Sequence, residues 1–161
     1  MSFVIGIDPG LSGAAVLYDV KQRLICDFLD MPTKEIITAG KKKRKIDAYE
    51  LFGWLEQQRK VTGKAFVEKV GAMPGQGVTS SFNFGFSAGA IEACCVAAGL
   101  EVAYVQPQTW KRAMGLLGKD KNASRELAGK LLPLHLPFFA RAKDDGRAEA
   151  ALIAIYGSTL T

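Results

Sequence analysis

An aspartate that closes an apolar strand is hard to place in a folded chain, and this sequence sets one among its first ten residues, where FVIGI runs straight into Asp8. Burying that carboxylate unpaired would be costly, and a bound cation offsets the cost. Three more acids stand at comparable places. Glu68 ends the short apolar run KAFVE, and Asp145 and Glu149 lie in KDDGRAEAALIAIYG, where their spacing puts both on one face of a helix. Carboxylate oxygens are the hard donors that Mg²⁺ or Mn²⁺ requires. A fold that gathers these three segments would own a divalent-metal site. Each acid also has a plainer use. Asp8 before Pro-Gly can start a turn, Glu68 can pair with Lys69, Asp145 can complement a helix dipole, and Glu149 can be one polar residue on an apolar helix.

The pattern around the acids predicts an α/β chain. SFVIGID, AAVLYD and QRLICDFLDMP form a strand meander over residues 3–32, and ITAGKKKRKI reads as a glycine- and lysine-rich loop without periodicity. Asp47 caps a helix from Ala48 to about Val61, with Leu51, Trp54 and Leu55 on its apolar face. KAFVE is the next strand. The loop GAMPGQGVTSS then leads to a helix capped by Ser80 or Ser81, which ends near Ala98 with Gly99 at its C′ position. EVAYV is a further strand, stopped by Pro107. Helices follow over 108–116, over 123–131 with Asn122 as cap, and over 144–157. Strands first, then alternating helices and strands, describe one domain over 1–161: a mixed five-stranded sheet with helices on both faces.

Composition narrows the partners. No run approaches the roughly 20 apolar residues of a membrane span, and the N-terminus lacks the basic start and apolar core of a signal peptide. A membrane partner is not expected, and three cysteines without metal-ligand spacing read as buried thiols of a reducing cytoplasm. The lone His135 suits a packing or loop role. The net charge of +5 is uneven: residues 34–47 carry six Lys/Arg against two acids, and residues 108–147 carry nine against four. Positive charge gathered in two segments is the footprint of a polyanion partner.

GIDPGLSGAAV, VEKVGAMPGQGVTSSFNFG, VQPQTWKRAMGL, DKNASRELA and DDGRAEAALIA, in this order and over nearly the whole chain, resemble the RuvC-type Holliday-junction resolvases in the branch common in phages, within the ribonuclease H-like superfamily. The resemblance implies a ribonuclease H-like fold. It also implies an endonuclease that hydrolyses phosphodiesters in four-way junctions, and in flaps and forks, with two Mg²⁺ (Mn²⁺ as alternative) per site. Asp8, Glu68, Asp145 and Glu149 would be the ligands, Asp8 bridging both ions, with Asp144 a rival to Asp145. Family members often space the last two acids by three residues, whereas here the spacing is four. Lys111 or Lys121 would neutralise charge at the scissile phosphate, Lys121 being the catalytic candidate.

DNA would further meet Lys41, Lys42, Lys43, Arg44 and Lys45, and also Arg112 and Lys119. The resemblance also implies an aromatic wedge at the junction crossover, for which Phe82, Phe84 or Phe86 can serve. Phe84 and Phe86 alternatively begin a core-facing helix stripe. Trp110 is expected in the core. A homodimer is implied. The small residues Gly85, Gly89 and Ala93, spaced by four, form a stripe that permits close approach of another element, either the chain's own sheet or a partner subunit at or beside the contact. The expected location is cytoplasmic, that of the host if the chain is phage-encoded. Two other classes fit fewer features. One is a junction binder that does not cut, for which the four acids would be idle. The other is an actin-like phosphotransferase, which needs a second phosphate-loop half that this chain lacks.

Overall fold

The computed structural model describes residues 2–72 and 74–161; Met1, and Met73 within the glycine-rich loop, lie outside the described residues. Strands β1 (Phe3–Asp8), β2 (Ala14–Asp19) and β3 (Leu24–Asp30) form the expected antiparallel meander. On the other side of β1, strands β6 (Lys64–Glu68) and β7 (Glu101–Val105) add in parallel, giving the order β3-β2-β1-β6-β7. β1 is therefore central, which explains its unbroken apolar run: Val4 faces one layer, Ile5 and Ile7 the other, and all three are fully buried.

Helices α1 (Ala48–Gln58) and α2 (Val78–Ala97) cover the Ile5/Ile7 face. Helices α3 (Pro107–Ala113), α4 (Lys121–Leu131) and α5 (Asp145–Ser158) cover the other. The Asp47 side chain caps α1 and Gly99, at φ +77°, follows α2, both as the residues predict. Two caps differ. α2 begins at Val78 behind Gly77, so Ser80 and Ser81 lie inside it. α4 begins two residues early because the Asp120 carboxylate, not Asn122, accepts from Ala123 N. Among the described residues, no helix is long and apolar enough to cross a membrane.

The largest correction concerns residues 33–46. They are a β-hairpin, β4 (Thr33–Thr38) and β5 (Lys41–Ile46), that forms its own two-stranded sheet. Ala39 and Gly40 both take positive φ, 49° and 71°, the two-residue turn geometry whose twist matches that of the strands it joins. KKKRK is thus an exposed strand. Almost nothing on the ribbon is buried, so it carries no apolar alternation to announce it. Two further corrections are local. Cys26 is exposed on β3, whereas Cys94 and Cys95 are buried. His135 sits in a 3₁₀ turn, Pro133–Phe139, where its Nε2 accepts from Ile25 N of edge strand β3 at 3.1 Å. That bond makes it a fold residue, and burial lowers its pKa.

α5 decides where the last two acids stand. It lies directly on β1 at Gly6, where a Cβ would overlap the Ala150 carbonyl oxygen and come within 2.8 Å of Ala154 Cβ. At its N-terminal end, Gly146 abuts the β1–β2 turn, leaving no room for a Cβ against Ser12 O and Gly13 Cα. Helix and sheet meet backbone to backbone.

Candidate metal centre

Asp8 and Glu68 end neighbouring parallel strands, with Ile7 level with Val67, so their carboxylates project side by side from one edge of the sheet. α5 brings Glu149 to the same place, and oxygens of Asp8, Glu68 and Glu149 all lie within 4.8 Å of one another. Such a set cannot be fully charged without cost. Burial, and then the charge of Glu149, push the Asp8 carboxyl up to about 7, against the pull of Gly10 N–H and Lys121. Burial also raises Glu68, held back by a hydrogen bond from Trp110 and by the Lys111 charge. Repelling carboxylate oxygens at this separation fit a hard divalent cation, Mg²⁺ or Mn²⁺, which would relieve the repulsion.

The basic side chains stand over the acids. Lys111 Nζ lies 3.3 Å from Glu149 Oε1, and Ser124 donates to the same oxygen at 3.4 Å. Exposed Lys121, first residue of α4, is near enough to lower the Asp8 pKa. Arg112 and Lys119 are exposed on α3 and on the turn before α4. In the hairpin, Lys41 to Arg44 are exposed and Lys45 is half-buried. Lys42 pairs with Glu35 at 3.1 Å. Arg44 Nη2 donates to Leu11 O at 2.5 Å and ties the ribbon to the turn that follows Asp8. A cleft of about 430 Å³ runs between the hairpin and α2, lined by Lys43, Arg44, Phe82 and Phe86 among others. Phe82 and Phe86 are 71% and 60% exposed, so Phe86 is no core residue, while Phe84 is half-buried.

Asp145 stands outside the cluster of three. Its Oδ1 is 3.0 Å from Arg125 Nε, an ion pair without hydrogen-bond alignment, and that partner on α4 carried no signal in the sequence. Asp144 is 1% exposed and clamped by Arg141 and Arg147; the Arg141 side-chain hydrogen bonds, and then the two positive charges, hold its carboxyl below the usual range. Arg147 also grips Asp30 with two bonds of 2.6 Å. Asp144 therefore anchors the start of α5 rather than facing the cluster. The role of Trp110 also went unread: it is fully buried, as expected, yet its indole N–H donates to Glu68 Oε2 at 2.7 Å.

Among solved structures, Thermus thermophilus RuvC in complex with a Holliday junction substrate superposes with a TM-score of 0.64 at 17% identity, covering 98% of this chain and 93% of that one. The chain has the ribonuclease H-like fold of RuvC. A second Thermus thermophilus RuvC structure gives a TM-score of 0.56 at 16% identity, covering 97% of this chain and 92% of the other. In sequence, the chain is 33% identical over 101 residues to the Chlamydomonas reinhardtii protein named Holliday junction resolvase MOC1, chloroplastic. That match spans 62% of this chain and 12% of the relative's length. No protein-family model matches the chain. The likeness to Holliday-junction resolvases read from the motifs thus recurs in sequence, and the likeness to RuvC in fold, with Asp8 on the central strand and Glu149 on the helix that crosses it.

Proposed function

We propose that the protein is a metal-dependent, structure-selective DNA endonuclease that resolves Holliday junctions and related branched DNA. The observation that carries this reading is the convergence of Asp8, Glu68 and Glu149 beneath Lys111 and Lys121, beside a basic hairpin and exposed phenylalanines. The RuvC fold and the resemblance to MOC1 support it. A binding protein gains nothing from three carboxylates facing phosphate.

Asp8, Glu68 and Glu149 would hold the divalent ions, Mg²⁺ or Mn²⁺, with Asp145 joining them once it exchanges Arg125. When bound, such ions activate water and offset charge on the phosphate. Lys111 and Lys121 add positive charge where the phosphorane develops. Water oxygen attacks phosphorus and the P–O3′ bond breaks. The 3′ oxygen leaves as a hydroxyl after taking up a proton, and the phosphate stays on the 5′ end. Lys43, Arg44 and their neighbours hold phosphates without reading sequence, while Phe82 or Phe86 offers a face for an unstacked base. A homodimer would set two such sites on the two-fold symmetry of a four-way junction.

A nicking assay on synthetic branched DNA tests the reading. Paired incisions with 5′-phosphate ends are expected in Mg²⁺ or Mn²⁺ and none in EDTA, with linear duplex left intact. Tight junction binding without incision in either metal would assign the chain to the non-cutting binders.

A further inference from the structure

Trp110 is among the largest fully buried side chains, packed with Val105, Leu116 and Ala128 beneath the carboxylate cluster. Indole has one polar group, a donor, and a buried donor needs an acceptor. Trp110 could have found a backbone carbonyl, as most buried side-chain donors do. It is aimed instead at Glu68 Oε2, at 2.7 Å, the short length of a bond to a charged acceptor. The helix that carries it begins immediately after β7, with Pro107 in its first turn, so the indole is fixed by backbone as well as by packing. The next residue, Lys111, reaches Glu149 at 3.3 Å, with its ammonium 5.2 Å from the Trp110 ring centre. Two consecutive residues of one short helix thus address two carboxylates from two other elements.

A glutamate on a strand end has three side-chain torsions to fix before it can share a ligand with its neighbours. A bond to one oxygen from an immobile donor sets the plane of the carboxylate, and therefore where Oε1 stands. We infer that Trp110 is a positioning residue for the metal centre: its indole N–H orients Glu68 toward Asp8 and Glu149, so that the divalent cation meets a preformed set of oxygens. The inference rests on the nuclease reading above, because it presumes that the cluster binds metal. Donors behind metal-bound carboxylates set affinity within about 10- to 100-fold, and that is the range expected here.

Trp110→Phe keeps an aromatic ring and removes the N–H. Isothermal titration with Mn²⁺, without DNA, should show binding weakened about tenfold or more. Junction affinity in EDTA should be unchanged, and the Mn²⁺ needed for half-maximal cleavage should rise in parallel with the weaker binding. Leu132→Ala, a cavity in the same buried cluster, should lower the melting temperature and leave Mn²⁺ affinity intact, separating positioning from stability. Trp110 can also report on itself: the chain has two tryptophans, so Trp54→Phe leaves it as the sole indole, which can be excited without the tyrosines. Mg²⁺ should then shift its fluorescence with the midpoint that calorimetric titration of the same protein with Mg²⁺ gives. Wild-type metal affinity retained in Trp110→Phe, or emission that ignores a cation calorimetry shows to bind, would overturn the role of Trp110 and leave the nuclease reading standing. A wild-type protein that binds no divalent cation would remove both.

Discussion

Asp8→Asn should make the metal-free protein more stable while ending its cleavage activity. The Asp8 carboxyl rises from 3.8 to about 7 in the folded chain, so between those values the folded state holds a proton that the unfolded state has released. Stability on this account is full below about pH 4 and falls as the pH climbs to about 7, above which the loss is constant. At about 1.4 kcal/mol per unit, the shift amounts to at most about 4 kcal/mol, and relaxation of the site will take some of it. Asparagine carries no charge and keeps an oxygen for the Gly10 N–H, which Asp8 Oδ1 accepts at 3.3 Å. In EDTA at pH 8 the variant should therefore gain about 2–4 kcal/mol. For a chain of this length that is roughly 4–15 °C in melting temperature. The gain should shrink by about three-fifths on going to pH 5. Saturating Mg²⁺ should reverse the order, because the wild type gains stability from every ion it binds and the variant does not. Junction affinity should stay or improve once a charge facing phosphate is gone. A variant less stable than wild type in EDTA, or an advantage that ignores pH between 5 and 8, would refute the account. Cleavage within tenfold of wild type would remove Asp8 from the metal site.

Four further outcomes are expected. Gly6→Ala should push α5 off β1, because the new Cβ overlaps the Ala150 carbonyl; a destabilisation of about 1–3 kcal/mol and a loss of about 100-fold in cleavage by the folded fraction should appear in melting and turnover assays. Replacing Lys41, Lys42 and Lys43 together by Gln should weaken junction and duplex binding alike and reduce the slope of log K against log salt by about 2–3; an unchanged slope would mean that the hairpin faces away from DNA. Asp144→Asn should lower the melting temperature, since Arg141 and Arg147 lose their buried partner, and leave cleavage by the folded protein largely intact. The lowered pKa of Asp144 contributes stability above the unfolded value near 3.8, so the gap from wild type should close as the pH drops below about 4. Gly89→Leu should give a folded monomer in sedimentation, because among the described residues nothing lies within 4 Å of a Cβ at Gly85 or Gly89; a dimer that persists would place the subunit contact elsewhere.

What the residues disclosed followed from burial. β1 and β6 are apolar up to Asp8 and Glu68, and a strand that ends in an acid after such a run fixes both the element and the place of its carboxylate. The caps at Asp47 and Gly99 were legible because they act within a few residues of themselves. The hairpin escaped notice because an exposed ribbon has no face to keep apolar, and because a non-glycine residue, Ala39, occupies a positive-φ turn position. Partners distant in sequence were equally silent. Nothing near Asp145 announces Arg125, and Trp110 looks like any core tryptophan until Glu68 is seen 2.7 Å from its nitrogen.

α5 joins these observations into one physical statement. Of its fourteen residues, Gly146, Ala148, Ala150, Ala151, Ala154 and Gly157 are small and buried. The small residues over β1 and the β1–β2 turn let the helix lie on the backbone at Gly6 and Gly13. Bulkier residues there would hold it farther from the sheet and carry Glu149 out of reach of Asp8, leaving two carboxylates at the strand ends where there are now three. Close packing thus buries Asp8 and adds the charge of Glu149, which together raise the Asp8 pKa, and the repulsion opposes the packing that causes it. Hydrophobic burial along α5, together with the Arg147 bridge to Asp30 and Asp144, holds the acids together without metal. A cation entering the cluster then gains a site whose ordering has already been met by the rest of the fold. Metal affinity and the stability of the α5–β1 contact are for this reason coupled, and a substitution that loosens Gly6 should weaken Mg²⁺ binding without touching a ligand.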